Sequence, residues 1–134
     1  MATKIDEILG KLKSLGRMAD LNPTEFAEEG GYADALAQEF GRELKSSQLR
    51  KVFGALKQVD IQVKRDPLDK PLARSEINRL IPELAYAFGR KLVPKGFYDL
   101  MKMCLSQTKM QTVGDFRRLM EFLTALLAYH KFHS

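Results

Sequence analysis

The sequence predicts an all-α fold, a compact bundle of five to six helices in a single domain over residues 1–134. Two observations carry this. Apolar residues recur three and four apart through each segment long enough to form an element, which is the spacing of one helix face. No segment alternates apolar and polar residues over a strand's length between turn dipeptides. Short connections separate the helical stretches, and these favour neighbours packed side by side in a bundle.

Lys4 to Ala19 forms the first amphipathic segment, with Ile5, Ile8, Leu9, Leu12 and Leu15 on one side. Gly10 and Gly16 weaken it by about 1 kcal/mol each relative to alanine. Residues 1–20 are therefore expected to form a mobile first helix that needs a docking surface. Asn22-Pro23 marks the next start, with Asn22 as N-cap, Pro23 at the first helical position and Glu25 placed to meet the helix dipole. Gly30-Gly31 breaks the chain. A helix resumes through Tyr32, Ala33, Leu36, Ala37 and Phe40 to about Leu44.

The stretch from Lys45 to Arg65 is the anchor helix of the chain. Ser46-Ser47 offers hydroxyls to the first free backbone amides. Leu49, Val52, Phe53, Leu56, Val59 and Val63 make one buried face. The other face carries Arg50, Lys57 and Lys64 at seven-residue spacing, with Lys51 and Arg65 beside them. Seven residues are two turns, a rise of roughly 10 Å per step. Only Asp60 interrupts this stripe, whereas an ordinary solvated helix mixes signs to gain i,i+4 pairs.

Asp66 to Pro71 contains two prolines and reads as a linker. Ser75, a suitable N-cap, opens a segment to Leu92 with Ile77, Leu80, Ile81, Leu84 and Phe88 inward. Pro82 inside this pattern predicts a kink or two short helices. Arg79, Glu83, Tyr86 and Arg90 lie on its outer side, and Ala85 and Gly89 are small enough to admit a neighbouring backbone. A helix from about Pro94 to Lys109 turns Phe97, Leu100, Met101, Cys104 and Leu105 inward. Thr112 caps the last helix with Asp115 at the third position, a variant of the capping box. From Val113 to about Lys131 that helix is apolar over more than half its surface. It is the central core helix, or one that also meets a second chain.

The composition, 45% apolar and 29% charged, is that of a folded protein able to bury a core. The single cysteine, Cys104, allows no internal disulfide and points to reducing, cytoplasmic surroundings. No apolar run approaches the ~18–20 residues of a membrane span, so no membrane partner is expected. The opening residues MATKIDEILGKLKS lack an apolar signal core.

The net charge is +5, but its placement says more. Residues 1–41 hold four cations and eight anions, while residues 42–111 hold fifteen cations and seven anions. A basic middle beside an acidic N-terminal third points to a polyanionic partner.

No catalytic constellation emerges, and neither a metal nor a cofactor is expected. His130 and His133 lack an adjacent third ligand. Cys104 sits on an apolar face, which raises a thiol pKa. Asp66 and Asp69 flank prolines as turn formers, and no glycine-rich phosphate loop is present. The basic middle can instead neutralise phosphates, with arginine adding bidentate contacts and Tyr86 offering a stacking surface. No base-reading module is visible, so the residues alone describe a helical domain that grips a nucleic-acid backbone.

Three stretches sharpen this: Ser46-Ser47-Gln48-Leu49-Arg50-Lys51; Leu84-Ala85-Tyr86-Ala87-Phe88-Gly89-Arg90-Lys91, preceded by Leu80-Ile81-Pro82; and Ala125-Leu126-Leu127-Ala128-Tyr129-His130-Lys131. In this order and spacing, over residues 45–131, the chain resembles the small subunit of the type III-A CRISPR–Cas effector, the Csm complex. The resemblance implies a helical, non-catalytic protein that stacks in a filament beside the other subunits of the effector. It also implies contact with guide RNA and target RNA through basic residues, in antiviral and anti-plasmid defence. On this resemblance Arg50, Lys51, Arg90 and Lys91 are the RNA-binding residues. Helical geometry adds Lys45, Lys57 and Arg79, while Tyr129 and His130 are assigned to packing or subunit contact. Thr124 departs from the family, which often has an acid there, so no contact by that acid is carried over. The acidic N-terminal third, Glu28 and Glu29 included, is expected to attract the basic middle of another copy. The alternatives are a helical DNA-binding regulatory domain acting as a dimer, and the small subunit of a type III-B effector.

Overall fold

The longest helix, α7 (Val113–Phe132), is the axis of the fold in the computed structural model, which describes residues 3–134. Met1 and Ala2, the start of the expected domain and first helix, lie outside the described residues. Before α7 come α1 (Lys4–Ser14), α2 (Pro23–Ala27), α3 (Tyr32–Phe40), α4 (Ser46–Val63), α5 (Ser75–Gly89) and α6 (Lys95–Cys104). Short 3-10 turns span Met18–Asp20 and Gly41–Glu43. Six helices of nine residues or more, with the five-residue α2, make the all-α bundle that the periodicity predicts.

α7 buries Val113, Phe116, Leu119, Met120, Phe122, Leu123 and Leu126. α3 and α4 pack along it, and α2 and the Met18–Asp20 turn cover its remaining flank. Phe26 of α2 meets Phe122 edge to face at 5.4 Å between ring centroids. Burying side chains of this size contributes about 1.5–3 kcal/mol each, which makes α7 the main source of cohesion. Its start is the capping box that Thr112 and Asp115 predict: the Asp115 amide donates to Thr112 Oγ1, and the Thr112 amide to Asp115 Oδ2.

The Asp66–Pro71 segment is more than a linker. Its carbonyls at Leu68 and Lys70 accept the amides of Gly114 and Val113, and the Leu72 amide donates to the Gln111 carbonyl. The segment thus satisfies two of the donors that any helix start leaves free.

Several element ends differ from the sequence reading. α1 docks through buried Ile8 and Leu12 against α3 and α6, capped by Thr3, and stops at Ser14 rather than Ala19. There the ammonium of Lys109 takes the carbonyls of Lys13 and Leu15, and the Met18 amide turns to the Lys109 carbonyl. Ser46 and Ser75 are each the first helical residue, not the cap. Lys45 and Arg74 hold the cap positions without side-chain caps. α5 runs through Pro82 as one helix. Pro82 and Asn78 are both exposed, so the carbonyl that loses its partner lies at a hydrated surface. Ala85 and Gly89 face solvent, and a Cβ on Gly89 meets nothing within 4 Å, so no backbone among the described residues uses that small-residue pair. α6 ends at Cys104, and beyond it the guanidinium of Arg74 takes the Leu105 and Met110 carbonyls.

Candidate nucleic-acid interface

α4 and α5 lie side by side and antiparallel. At one end Gln62 Nε2 donates to Glu76 Oε1 at 3.2 Å. At the other, Gln48, Lys51 and Val52 of α4 face Glu83, Tyr86 and Ala87 of α5 around a cleft of about 160 Å³. Leu49, Val52, Leu56 and Val59 bury the inner side of α4, and Leu80, Leu84 and Ala87 that of α5. The helical period then leaves Arg50, Lys51, Arg79, Tyr86 and Arg90 exposed on the outer sides of the two helices.

The cleft joins residues far apart in the chain, Gln48, Lys51 and Val52 with Glu83, Tyr86 and Leu92. Arg90 sits where α5 ends, with Nη1 donating to Tyr86 Oη at 2.8 Å. Its guanidinium carbon lies 5.7 Å from the Tyr86 ring centroid. Tyr86 is 63% exposed, so this aromatic pair adds little to the core. Cations near a helix C-terminus also interact favourably with the helix dipole.

Lys91 follows with φ 61°, the one non-glycine residue with positive φ among the described residues. Its amide donates to the Phe88 carbonyl and the Leu92 amide to the Ala87 carbonyl, the paired bonds that close a helix through a left-handed residue. Glycine is the usual occupant of that position because a Cβ there is disfavoured.

The remaining sequence-derived candidates fall elsewhere. Lys57 pairs with Asp60 at 3.2 Å and lies on the other flank of α4, by Pro23, Phe26 and Arg117. Lys45, at the start of α4, lines a separate cleft of about 320 Å³ with Arg42, His130 and His133. Arg42 was not among the candidates. It belongs to no helical stripe; it lies three residues before Lys45, and the return of α7 past the Gly41–Glu43 turn brings His130 and His133 to the same cleft. Lys64 and Arg65 continue the α4 stripe as exposed residues, while the Lys64 carbonyl accepts Arg117.

The groups weighed for other chemistry are engaged structurally. His130 Nε2 contacts the Gly41 carbonyl at 3.2 Å, and His133 Nε2 contacts Asp34 Oδ1. The two histidines thus serve different partners. No group of three or more His, Cys, Asp or Glu side chains is placed to hold a metal among the described residues. Burial pushes the Cys104 thiol up to about 12. Tyr129, assigned to packing or subunit contact, donates to the Ala27 carbonyl at 2.7 Å. No helix among the described residues is long and apolar enough to cross a membrane.

What the α4–α5 surface offers is a groove lined by Lys51, Glu83 and the exposed Tyr86 ring, with Arg50, Arg79 and Arg90 exposed on the same two helices. A family model described as Csm2 Type III-A matches residues 24–134. No curated protein and no solved structure matches.

Proposed function

The chain belongs to the Csm2 Type III-A family, which makes it a small subunit of a type III-A CRISPR effector, and from that premise we propose that its α4–α5 face grips RNA. On this reading Arg50, Lys51, Arg79, Arg90 and Lys91 lie along the backbone of the guide RNA–target RNA duplex. Lys45 extends the contact at the start of α4, and Lys57 contributes less because Asp60 already neutralises it. The subunit works as one helical unit with no catalysis of its own, in cytoplasmic defence against foreign genetic elements.

The observation that carries the reading is the meeting of Lys51 with Tyr86, the hydrogen-bond partner of Arg90, at one cleft. Two of the three stretches on which the resemblance rests become neighbours in space. A second support is Lys91. A cation kept where glycine is the less strained choice suggests selection for its charge. Copies stack head to tail with other subunits of the effector, the exposed Glu28 and Glu29 after α2 attracting the basic surface of the next copy.

Gentle native purification of the tagged chain from its own host tests the proposal. Co-recovery of several protein partners and short RNAs sharing one repeat-derived end is the expected result. Recovery alone, or with DNA of one sequence, overturns it in favour of a regulatory DNA-binding dimer.

A further inference from the structure

We infer that Tyr86 is a positioning residue. It aims the Arg90 guanidinium at the RNA backbone while leaving the arginine's charge available. This rests on the RNA-binding reading of the α4–α5 face and assigns a specific role within it.

Three exposed lysines, Lys57, Lys70 and Lys95, each take a carboxylate three or four residues away, namely Asp60, Asp66 and Asp99, whereas no salt bridge holds Arg50, Lys51 or Arg79 among the described residues. Arg90 has an acid on the same outer side of α5, Glu83, but no salt bridge joins them among the described residues. Its hydrogen bond goes to the neutral phenol of Tyr86 at 2.8 Å. A carboxylate would order the guanidinium and cancel its charge. A phenol orders it and cancels nothing.

The geometry restricts the arginine twice. The hydrogen bond fixes one edge of the fork, and the ring lies 5.7 Å from the guanidinium carbon, within cation–π range. Arginine has five N–H donors, so a single bond to Tyr86 leaves the remaining edges free for phosphate oxygens. A long side chain otherwise loses rotamer freedom when it binds, and prior ordering removes part of that cost. Tyr86 also lines the cleft that Lys51 and Glu83 border, so the residue that holds the Arg90 guanidinium faces the Lys51 side of the groove. With Tyr86 63% exposed, its hydroxyl serves no buried partner.

The test uses the full-length chain, a fluorescently labelled RNA duplex and a salt series, with Tyr86→Phe, Arg90→Ala and the double variant. Thermal unfolding of all three should match the parent, since both side chains are exposed. Tyr86→Phe is expected to weaken binding about three- to tenfold with the salt slope unchanged, because the cation remains. Arg90→Ala should shallow the slope by about 0.7–0.9, one phosphate contact. In the Arg90→Ala background, Tyr86→Phe should have no further effect. The inference is overturned if the two losses multiply, which would make Tyr86 an independent contact, or if Tyr86→Phe binds like the parent while Arg90→Ala does not. If Arg90→Ala itself leaves affinity and slope unchanged, the RNA-face reading falls and the inference falls with it.

Discussion

Arg17 Nε donates to the carboxylate of Asp115 at 3.0 Å, across 98 positions of sequence. Asp115 is fully buried and also accepts the amides of Ala19, Gln111 and Thr112. One side chain therefore ties the start of α7 to the turn that follows α1. Burial alone would raise its pKa. The amides of Gln111, Ala19 and Thr112, then the Arg17 guanidinium, outweigh burial and hold Asp115 below its ordinary value of 3.8.

Asp115→Asn should therefore cost about 3 kcal/mol in urea unfolding at neutral pH, because aligned buried donors lose an ionised acceptor. The sign with pH follows from the lowered pKa. The stabilisation is complete above the ordinary carboxylate range and is lost as pH falls through the folded value, below 3.8. The parent should lose stability on that acid limb, and Asp115→Asn should lose less of it. Equal acid limbs would contradict the assignment.

Two glycines should respond in opposite directions to alanine. A Cβ on Gly31 would lie 2.8 Å from the Glu25 carbonyl oxygen and 2.9 Å from that of Glu28, both backbone atoms. Gly31→Ala should destabilise by about 2 kcal/mol. Gly54 lies inside α4 with nothing within 4 Å of its Cβ position, so Gly54→Ala should stabilise by about 1 kcal/mol. Melting temperatures read both.

Lys51→Ala should weaken RNA binding more than Lys57→Ala. Helical periodicity alone does not rank them, but Lys51 borders the α4–α5 cleft and Lys57 is paired with Asp60 on the far flank. Equal losses in a filter-binding series would mean that the RNA covers the whole outer side of α4.

Lys91→Gly should separate stability from binding. Relief of the left-handed backbone is expected to raise stability by about 0.5–1 kcal/mol, while loss of the charge lowers RNA affinity. If both fall together, Lys91 holds its turn through its side chain and not despite it.

Reversing Glu28 and Glu29 to lysine should disrupt assembly of successive copies and flatten its salt dependence. Sedimentation of the assembled complex reads this. Unchanged assembly would remove the electrostatic account of stacking.

Where order is set locally, the sequence was a good guide. Thr112 and Asp115 are three apart, so their reciprocal cap follows from spacing, and Asn22-Pro23 starts α2 in the same way. The other bonds of Asp115 run to Arg17 and Ala19, and no local pattern announces them. Ser46 and Ser75 looked like caps by residue type, yet one residue of offset placed both inside their helices. The cation stripe on α4 was visible as a period. Which flank each cation occupies depends on where α5 and α7 pack, and this separates Lys51 from Lys57. Arg42 is three residues from Lys45, but only tertiary structure brings His130 and His133 into their cleft.

The position of α7 at the axis has a consequence for how the protein is made. α7 is synthesised after every element it packs against, so α2, α3 and α4 leave the ribosome with apolar faces that nothing yet covers. A nascent chain that lacks Val113–Phe132 cannot close its core, whatever helices it has formed. Completion of translation through α7 thus acts as a checkpoint. Copies interrupted earlier stay open to proteolysis, and only copies that carry α7 reach the rigid shape in which the α4–α5 groove exists.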